Sequence, residues 1–222
     1  MSRQARIVVP GLPHHLYLRG NNRRRLFSSH ADYQRFVLCL AAGLDTSACK
    51  LHQLTLMTNH VHLIAVPPQH AALSTLVHRT CQRYAQARNA QREATGKLFE
   101  ERFHSKPILD DEYLATATVY NDVNAFRAGV VRAPLAHPWS TGPLHAGRAA
   151  VSRIPASMWT PSPWYLALGA TPESRAQRYR ELVDARLALG ETEPPLDYSR
   201  RVERPDRSSA REAPLGWGRA SR

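Results

Sequence analysis

The sequence predicts an α+β domain: an antiparallel sheet with helices packed mainly on one face, followed by an α-helical C-terminal extension. Three observations lead there. Residues 51–57 (LHQLTLM) alternate apolar and polar side chains with period two, as a half-buried strand does. A turn at Thr58 and Asn59 joins them to a second strand, 61–66 (VHLIAV), so the two form an antiparallel hairpin. Around this hairpin the order runs strand, helix, two strands, helix, strand, helix, which is an α+β rather than a βαβ arrangement.

Each element has its own signal. Residues 14–19 (HHLYLR) follow Pro13, stop at Gly20 and read as a short strand, and the basic turn NNRRR comes next. Over 30–48, Tyr33, Phe36, Val37, Leu40 and Leu44 fall at helical spacing, with Ser28 or Ser29 as the cap. The hairpin ends at Pro67 and Pro68. Residues 71–92 place Leu73, Leu76, Val77, Cys81 and Tyr84 on one side of a helix and Arg79, Arg83, Arg88 and Arg92 on the other. Gly96 breaks this helix, and 97–109 reads as extended and basic. Asp110, Asp111 and Glu112 suit the positive N-terminal end of a helix over 111–131, which Gly129 and Pro134 close. Residues 133–172 are rich in Pro, Gly and Ser and read as loop, 172–189 as one more helix, and the polar stretch from Glu191 as disordered. The expected organisation is a domain over 1–147, a loop-and-helix extension over 148–190 and a tail over 191–222.

Composition narrows the function. Thirty basic against eighteen acidic residues give a formal net charge of +12 in 222 residues. The first 150 residues hold eighteen of the basic and nine of the acidic ones. Such an excess favours an anionic polymer as partner, because each neutralised phosphate releases counterions. Nearly all of the basic residues are arginine, which forks phosphate and stacks on bases, although a GC-rich codon usage gives the same bias. No apolar run approaches the roughly 20 residues of a membrane-spanning helix, and the N-terminus lacks a secretory h-region, so a cytoplasmic protein without a membrane partner is expected. Three cysteines, none in a CxxC pair, support neither a disulfide framework nor a zinc ribbon.

Among eleven histidines, His30, His70, His78, His137 and His145 fall at helix edges or in loops and call for no function. His60 and His62 differ. Two apart in a strand, they project from one face with Cα atoms roughly 6.5 Å apart, close enough to share a divalent ion. Ordinary half-exposed histidines show the same spacing. On the third helix Tyr120 and Asn124 are four apart and share a face; an amide oxygen can ligate a hard cation and a phenol beside it can act as nucleophile. The bland alternative is a core aromatic and a helix-end polar residue. Tyr113 is the rival nucleophile, but its partner one turn later is Ala117, which offers no ligand.

Taken in order, PGLPHHLYLRGNNRRRLFSSHADYQRF, LHQLTLMTNHVHLIAVP, CQRYAQARNA, GKLFEERFHS and DEYLATATVYNDVNAFRAGVV resemble the REP-associated tyrosine transposases. These are a branch of the HUH single-tyrosine transposases, and the likeness spans roughly residues 9–188. It implies a ferredoxin-like or RRM-like sheet, with His60, His62 and Asn124 holding magnesium or manganese and Tyr120 as nucleophile. It also implies a partner, single-stranded DNA with a hairpin, cleaved through a 5′-phosphotyrosine link, by a monomer or by a homodimer that exchanges its tyrosine helix. Arg19, Asn21, Asn22, Arg23, Arg24, Arg25, Arg83 and Arg102 become the expected DNA contacts. Thr58 replaces the family's usual proline before Asn59, Ala125 replaces the proline after Asn124, and Phe99 and Glu101 replace Trp and Gly. None of these removes a ligand or the nucleophile. The alternative expectation is a domesticated, weakly active or inactive relative that only binds nucleic acid.

Overall fold

The hairpin forms as expected and a third strand completes its pairing. In the computed structural model, which describes residues 7–100 and 102–190, strands β2 (Lys50–Leu56) and β3 (His60–Val66) pair antiparallel across the Thr58-Asn59 turn. Strand β1 (His14–Arg19) adds to the free side of β3, and β4 (His104–Pro107) adds to β1, all antiparallel, giving the order β2-β3-β1-β4. The register sets Leu16 opposite Leu63, Leu18 opposite Val61, Tyr17 opposite His62 and Arg19 opposite His60. Since successive strand residues point to opposite faces, these pairings sort the strands into one apolar and one polar face.

The apolar face carries Leu16, Leu18, Leu54, Leu56, Val61 and Leu63, all buried in the main core. It is covered by α1 (His30–Ser47) and α2 (Ala72–Gln91), whose Phe36, Leu40, Leu73, Leu76 and Tyr84 complete that core. Burying one such leucine contributes roughly 1.5–3 kcal/mol relative to exposure. The two helices approach closely at Gly43, where a Cβ would lie 2.6 Å from Thr80 Oγ1. Ser29 is the residue that caps α1, in a reciprocal box with Asp32. Arg88 departs from its expected place on the outer side of α2: it is 3% exposed and its Nη2 donates to the Arg25 carbonyl at 3.0 Å.

The opposite face carries His15, Tyr17, Gln53, Thr55, His60 and His62, and α3 (Asp111–Arg127) lies across it. The two long helices thus share one face and the tyrosine helix takes the other. Asp110 caps α3 by accepting from the Tyr113 amide, and the helix stops at Arg127, short of the expected 131. The stretch read as loop is more ordered than its composition suggests. It holds the short helices α4 (Gly142–His145) and α5 (Pro163–Ala167), and α6 (Pro172–Ala188) follows. Its backbone also pairs with the outer edge of β2: Leu56 donates to the Trp139 carbonyl, Thr141 to Leu54 and Thr160 to Leu51. Trp139 in turn stacks on Tyr33 of α1, with ring centroids 5.0 Å apart. The tail over 191–222 lies outside the described residues, as does Glu101.

Candidate functional site

The pleat of β3 places His60 and His62 on the polar face, as their spacing requires. Their ring centroids are 5.0 Å apart and the planes nearly perpendicular. Asn59 Oδ1 holds His60 Nδ1 at 2.8 Å, which turns Nε2 outward as the nitrogen able to ligate. His62 is 3% exposed and its Nδ1 lies 3.2 Å from His15 Nε2 on the neighbouring strand. Tyr17 packs against both, its ring 5.5 Å from His60 and 5.1 Å from His62. Burial keeps these imidazoles neutral: it depresses His60 to about 4, helped by the Arg19 charge, and His62 well below its ordinary value, helped by His15 and His60. Neutral imidazole is the form that binds a metal.

Helix α3 brings Tyr120 to this pair within a single chain. The Tyr120 ring is half-buried, 6.3 Å from the His62 ring and nearly perpendicular to it. The Arg127 guanidinium lies over the same tyrosine, 5.1 Å from its centroid. Asn124 sits one turn beyond Tyr120, half-buried. Tyr113 lies elsewhere, packed beside Ile108, Leu114 and Ala117 and under Lys106, and burial and Asp110 push its phenol up. Among the described residues no group of three or more His, Cys, Asp or Glu is arranged to hold a metal ion. The donors that β3 offers at this place are two neutral imidazoles. That is a neutral donor set, suited to a divalent ion that also takes oxygens from a phosphate.

The expected DNA contacts divide. Arg19, in register with His60, is bound by Glu100, with Nε 2.5 Å from the carboxylate and both side chains about one third exposed. Asn21, Asn22 and Arg23 form a single 3-10 turn after β1, in which Asn22 and Arg23 adopt left-handed backbone angles. Arg23, Arg24 and Arg25 are exposed beside it. Arg102 lines a cleft of about 180 Å³ with Tyr17, Arg19, Phe99, Phe103 and His104, next to the histidine pair. Arg83 is apart from all of these, exposed on α2 across the sheet.

Beneath the histidines lies a buried polar network that spacing did not reveal. Asn121 Nδ2 donates to Gln53 Oε1 at 3.0 Å and faces His15 Nε2 at 3.2 Å. Asp122 accepts from His145 Nδ1 and the Tyr179 hydroxyl, each at 2.7 Å, and from Gln53 Nε2 at 3.1 Å. His15 shares the period-two face of β1 with Tyr17, a pattern present in HHLYLR. Nothing in the sequence flags Asn121 or Asp122: Asn121 flanks the face that Tyr120 and Asn124 define and Asp122 lies opposite it. His137 and His145, expected to be incidental, are buried and hydrogen-bonded: His137 Nε2 donates to the Leu56 carbonyl at 2.9 Å.

With fold and site in view, comparison with known proteins gives first the class and then the family. The fold matches a solved REP-associated tyrosine transposase bound to a REP hairpin, with a TM-score of 0.57 at 17% identity, over 73% of this chain and 93% of that one. A protein of Deinococcus radiodurans R1 assigned as a transposase aligns with a TM-score of 0.37 at 20% identity, over 52% of this chain and 92% of its own. No curated protein matches the chain in sequence. The family model of IS200-like transposases matches residues 8–120, just over half the chain and a span that includes His60, His62 and Tyr120. The chain belongs to the IS200-like transposase family. No described helix is long and apolar enough to cross a membrane.

Proposed function

We propose that the protein is a metal-dependent endonuclease and strand transferase of single-stranded DNA, acting beside a REP-like hairpin through Tyr120. The observation that carries this reading is the Tyr120 ring 6.3 Å from His62 in the same chain. His60, His62 and Asn124 would hold magnesium or manganese. Bound there, the ion supplies charge stabilisation for the phosphorane-like transition state and the departing oxygen.

The chain's own residues supply the rest. Tyr120 Oη attacks the scissile phosphorus, forming the O–P bond of a 5′-phosphotyrosine as the P–O3′ bond breaks. The phenolic proton passes to solvent and the 3′ oxygen leaves as a hydroxyl after taking up a proton. Arg127 over the ring limits where the phenol can swing. Neutral His60 and His62 keep their lone pairs for ligation at neutral pH. Arg23, Arg24, Arg25 and Arg102 clamp phosphates on either side, positioning the strand without reading its sequence. Because the diester energy is kept in the tyrosine link, the reverse attack by a 3′-hydroxyl rejoins DNA without a nucleotide cofactor.

One observation favours a second reading, a relative that binds DNA without cutting it. Glu100 occupies Arg19 next to His60 and brings a carboxylate to the expected path of the phosphates. A single experiment separates the two. Full-length protein, manganese and labelled single-stranded DNA containing a hairpin should give a covalent adduct on a denaturing gel, and Tyr120→Phe should abolish it while retaining binding. Tight binding with no adduct from the unsubstituted protein would establish the second reading.

A further inference from the structure

The polar network under the site has a direction that can be read one proton at a time. Thr55 Oγ1 has one hydrogen, which goes to the Asn121 backbone carbonyl at 2.9 Å or to Ser140 Oγ at 3.2 Å, so in either case it is an acceptor toward Gln53 Nε2 at 2.7 Å. Asp122 Oδ1 also accepts there, at 3.1 Å, and its other oxygen is taken by His145 and Tyr179. Two acceptors therefore fix which end of the Gln53 amide is the NH2. Gln53 Oε1 must then face Asn121, and Asn121 must meet it with Nδ2. The same Nδ2 faces His15 Nε2, 3.2 Å away. A hydrogen on His15 Nε2 would point at the amide's own hydrogens, so this nitrogen is the acceptor and the His15 proton sits on Nδ1. His62 Nδ1, also 3.2 Å from that nitrogen, shares its single lone pair as a second donor, since an unprotonated Nδ1 would set one lone pair against another.

The opposite orientation of Asn121 would set its Oδ1 against Gln53 Oε1 at about the 3.0 Å now spanned by a hydrogen bond. The orientation present has a cost, since Asn121 Oδ1 is buried without a hydrogen-bond partner among the described residues. A buried acceptor left without a donor is destabilising. The fold accepts this penalty where a turn of the amide would put two carbonyl oxygens together.

We propose that Asp122, Gln53, Asn121 and His15 form a tautomer relay that holds the His62 proton on Nδ1 and leaves Nε2 as its lone-pair nitrogen. Gln53, Asn121 and His15 are positioning residues: they act on His62, and His62 would act on the metal. Asp122 ties the relay to α4 and α6 through His145 and Tyr179, which makes the C-terminal elements part of the site's chemistry. The relay rests on the proposed function only in its purpose, because the tautomer exists without metal or DNA.

The test is histidine nitrogen NMR on the full-length protein, 15N-labelled at histidine and kept metal-free with a chelator. His62 should show a protonated Nδ1 and an unprotonated Nε2. In Gln53→Met the Asn121 amide is free to turn, Oδ1 accepts from His15 Nε2–H, and His62 should gain the Nε2–H form. Asn121→Asp should shift it the same way, because a carboxylate can only accept from His15. Manganese titration by calorimetry should show affinity weakened by about tenfold in either variant, the lower end of what lost outer contacts to a ligand cost. A His62 that carries its proton on Nε2 in the unsubstituted protein overturns the relay, whether or not either variant folds. So does a folded variant whose His62 tautomer is unchanged. If His62 shows the Nδ1–H form and both variants shift it, the relay stands even if manganese fails to bind; that failure would overturn the metal reading alone.

Discussion

The two faces of the sheet are built from the same strands and held by different physics. Toward α1 and α2, alternate residues of β1, β2 and β3 are leucine, valine and alanine in continuous contact. One leucine there can be exchanged for another apolar residue of similar volume at modest cost. Toward α3, the intervening residues include His15, Gln53, Thr55 and His62, which are tied to one another and to Asn121 by specific hydrogen bonds. The first face tolerates error in shape and the second does not tolerate error in chemistry. A site that must present chosen lone pairs belongs on the second.

Substitutions of similar nominal severity should separate the two faces. Asp122→Ala strands the donors of His145, Tyr179 and Gln53 in a buried place. A buried donor left without an acceptor costs about 1–3 kcal/mol. Urea unfolding of this variant should show a loss of that size together with impaired metal binding. Leu54→Ala deletes a fully buried side chain on the other face and should cost about 2–5 kcal/mol. It should leave the metal affinity of the remaining folded protein nearly unchanged. If Leu54→Ala weakened metal binding as much as Asp122→Ala, the division between the faces would not hold.

Acid offers a smaller probe, because most of the buried histidines, His14 excepted, lie on the polar face and along the β2 edge. Burial lowers His52 and His137 from their ordinary value and depresses His15 to about 3. Each folded pKa is therefore below its unfolded value near 6.5, so the unfolded chain binds more protons. Stability from these groups is complete above that pH and is lost as pH falls below it toward the folded values. The urea midpoint should decline between pH 7 and pH 5, and His137→Gln should flatten part of the decline. Hydrogen exchange at pH 5 should rise first in α3, α6 and the 139–160 segment, ahead of α1 and α2.

The apolar face and the common side of His60 and His62 were legible because both depend on short-range period. Leucines two apart and histidines two apart obey one rule, and Tyr120 and Asn124, four apart on a helix, obey its helical equivalent. The resemblance to the single-tyrosine transposases singled these four residues out and added the order of the segments. What stayed hidden depends on long-range partners. Asp122 is an unremarkable mid-helix acid until Tyr179, 57 residues later, donates to it. Arg88 fits an outer arginine stripe by spacing, yet the carbonyl of Arg25 draws it inward. The segment 133–172 looks like loop because its Pro, Gly and Ser content masks short helical turns and three backbone bonds to the distant β2 edge.

That last pairing also closes an edge of the sheet. A chain ending at Arg127 would retain both histidines and the tyrosine and would still read as a complete catalytic domain. It would also present the amide of Leu56 and the carbonyls of Leu51 and Leu54 to solvent along an open β2 edge. Bare edges of this kind template pairing with another copy. The stretch around Trp139 and Thr160 thus covers the β2 edge, leaving the four-residue β4 as the sheet's other margin.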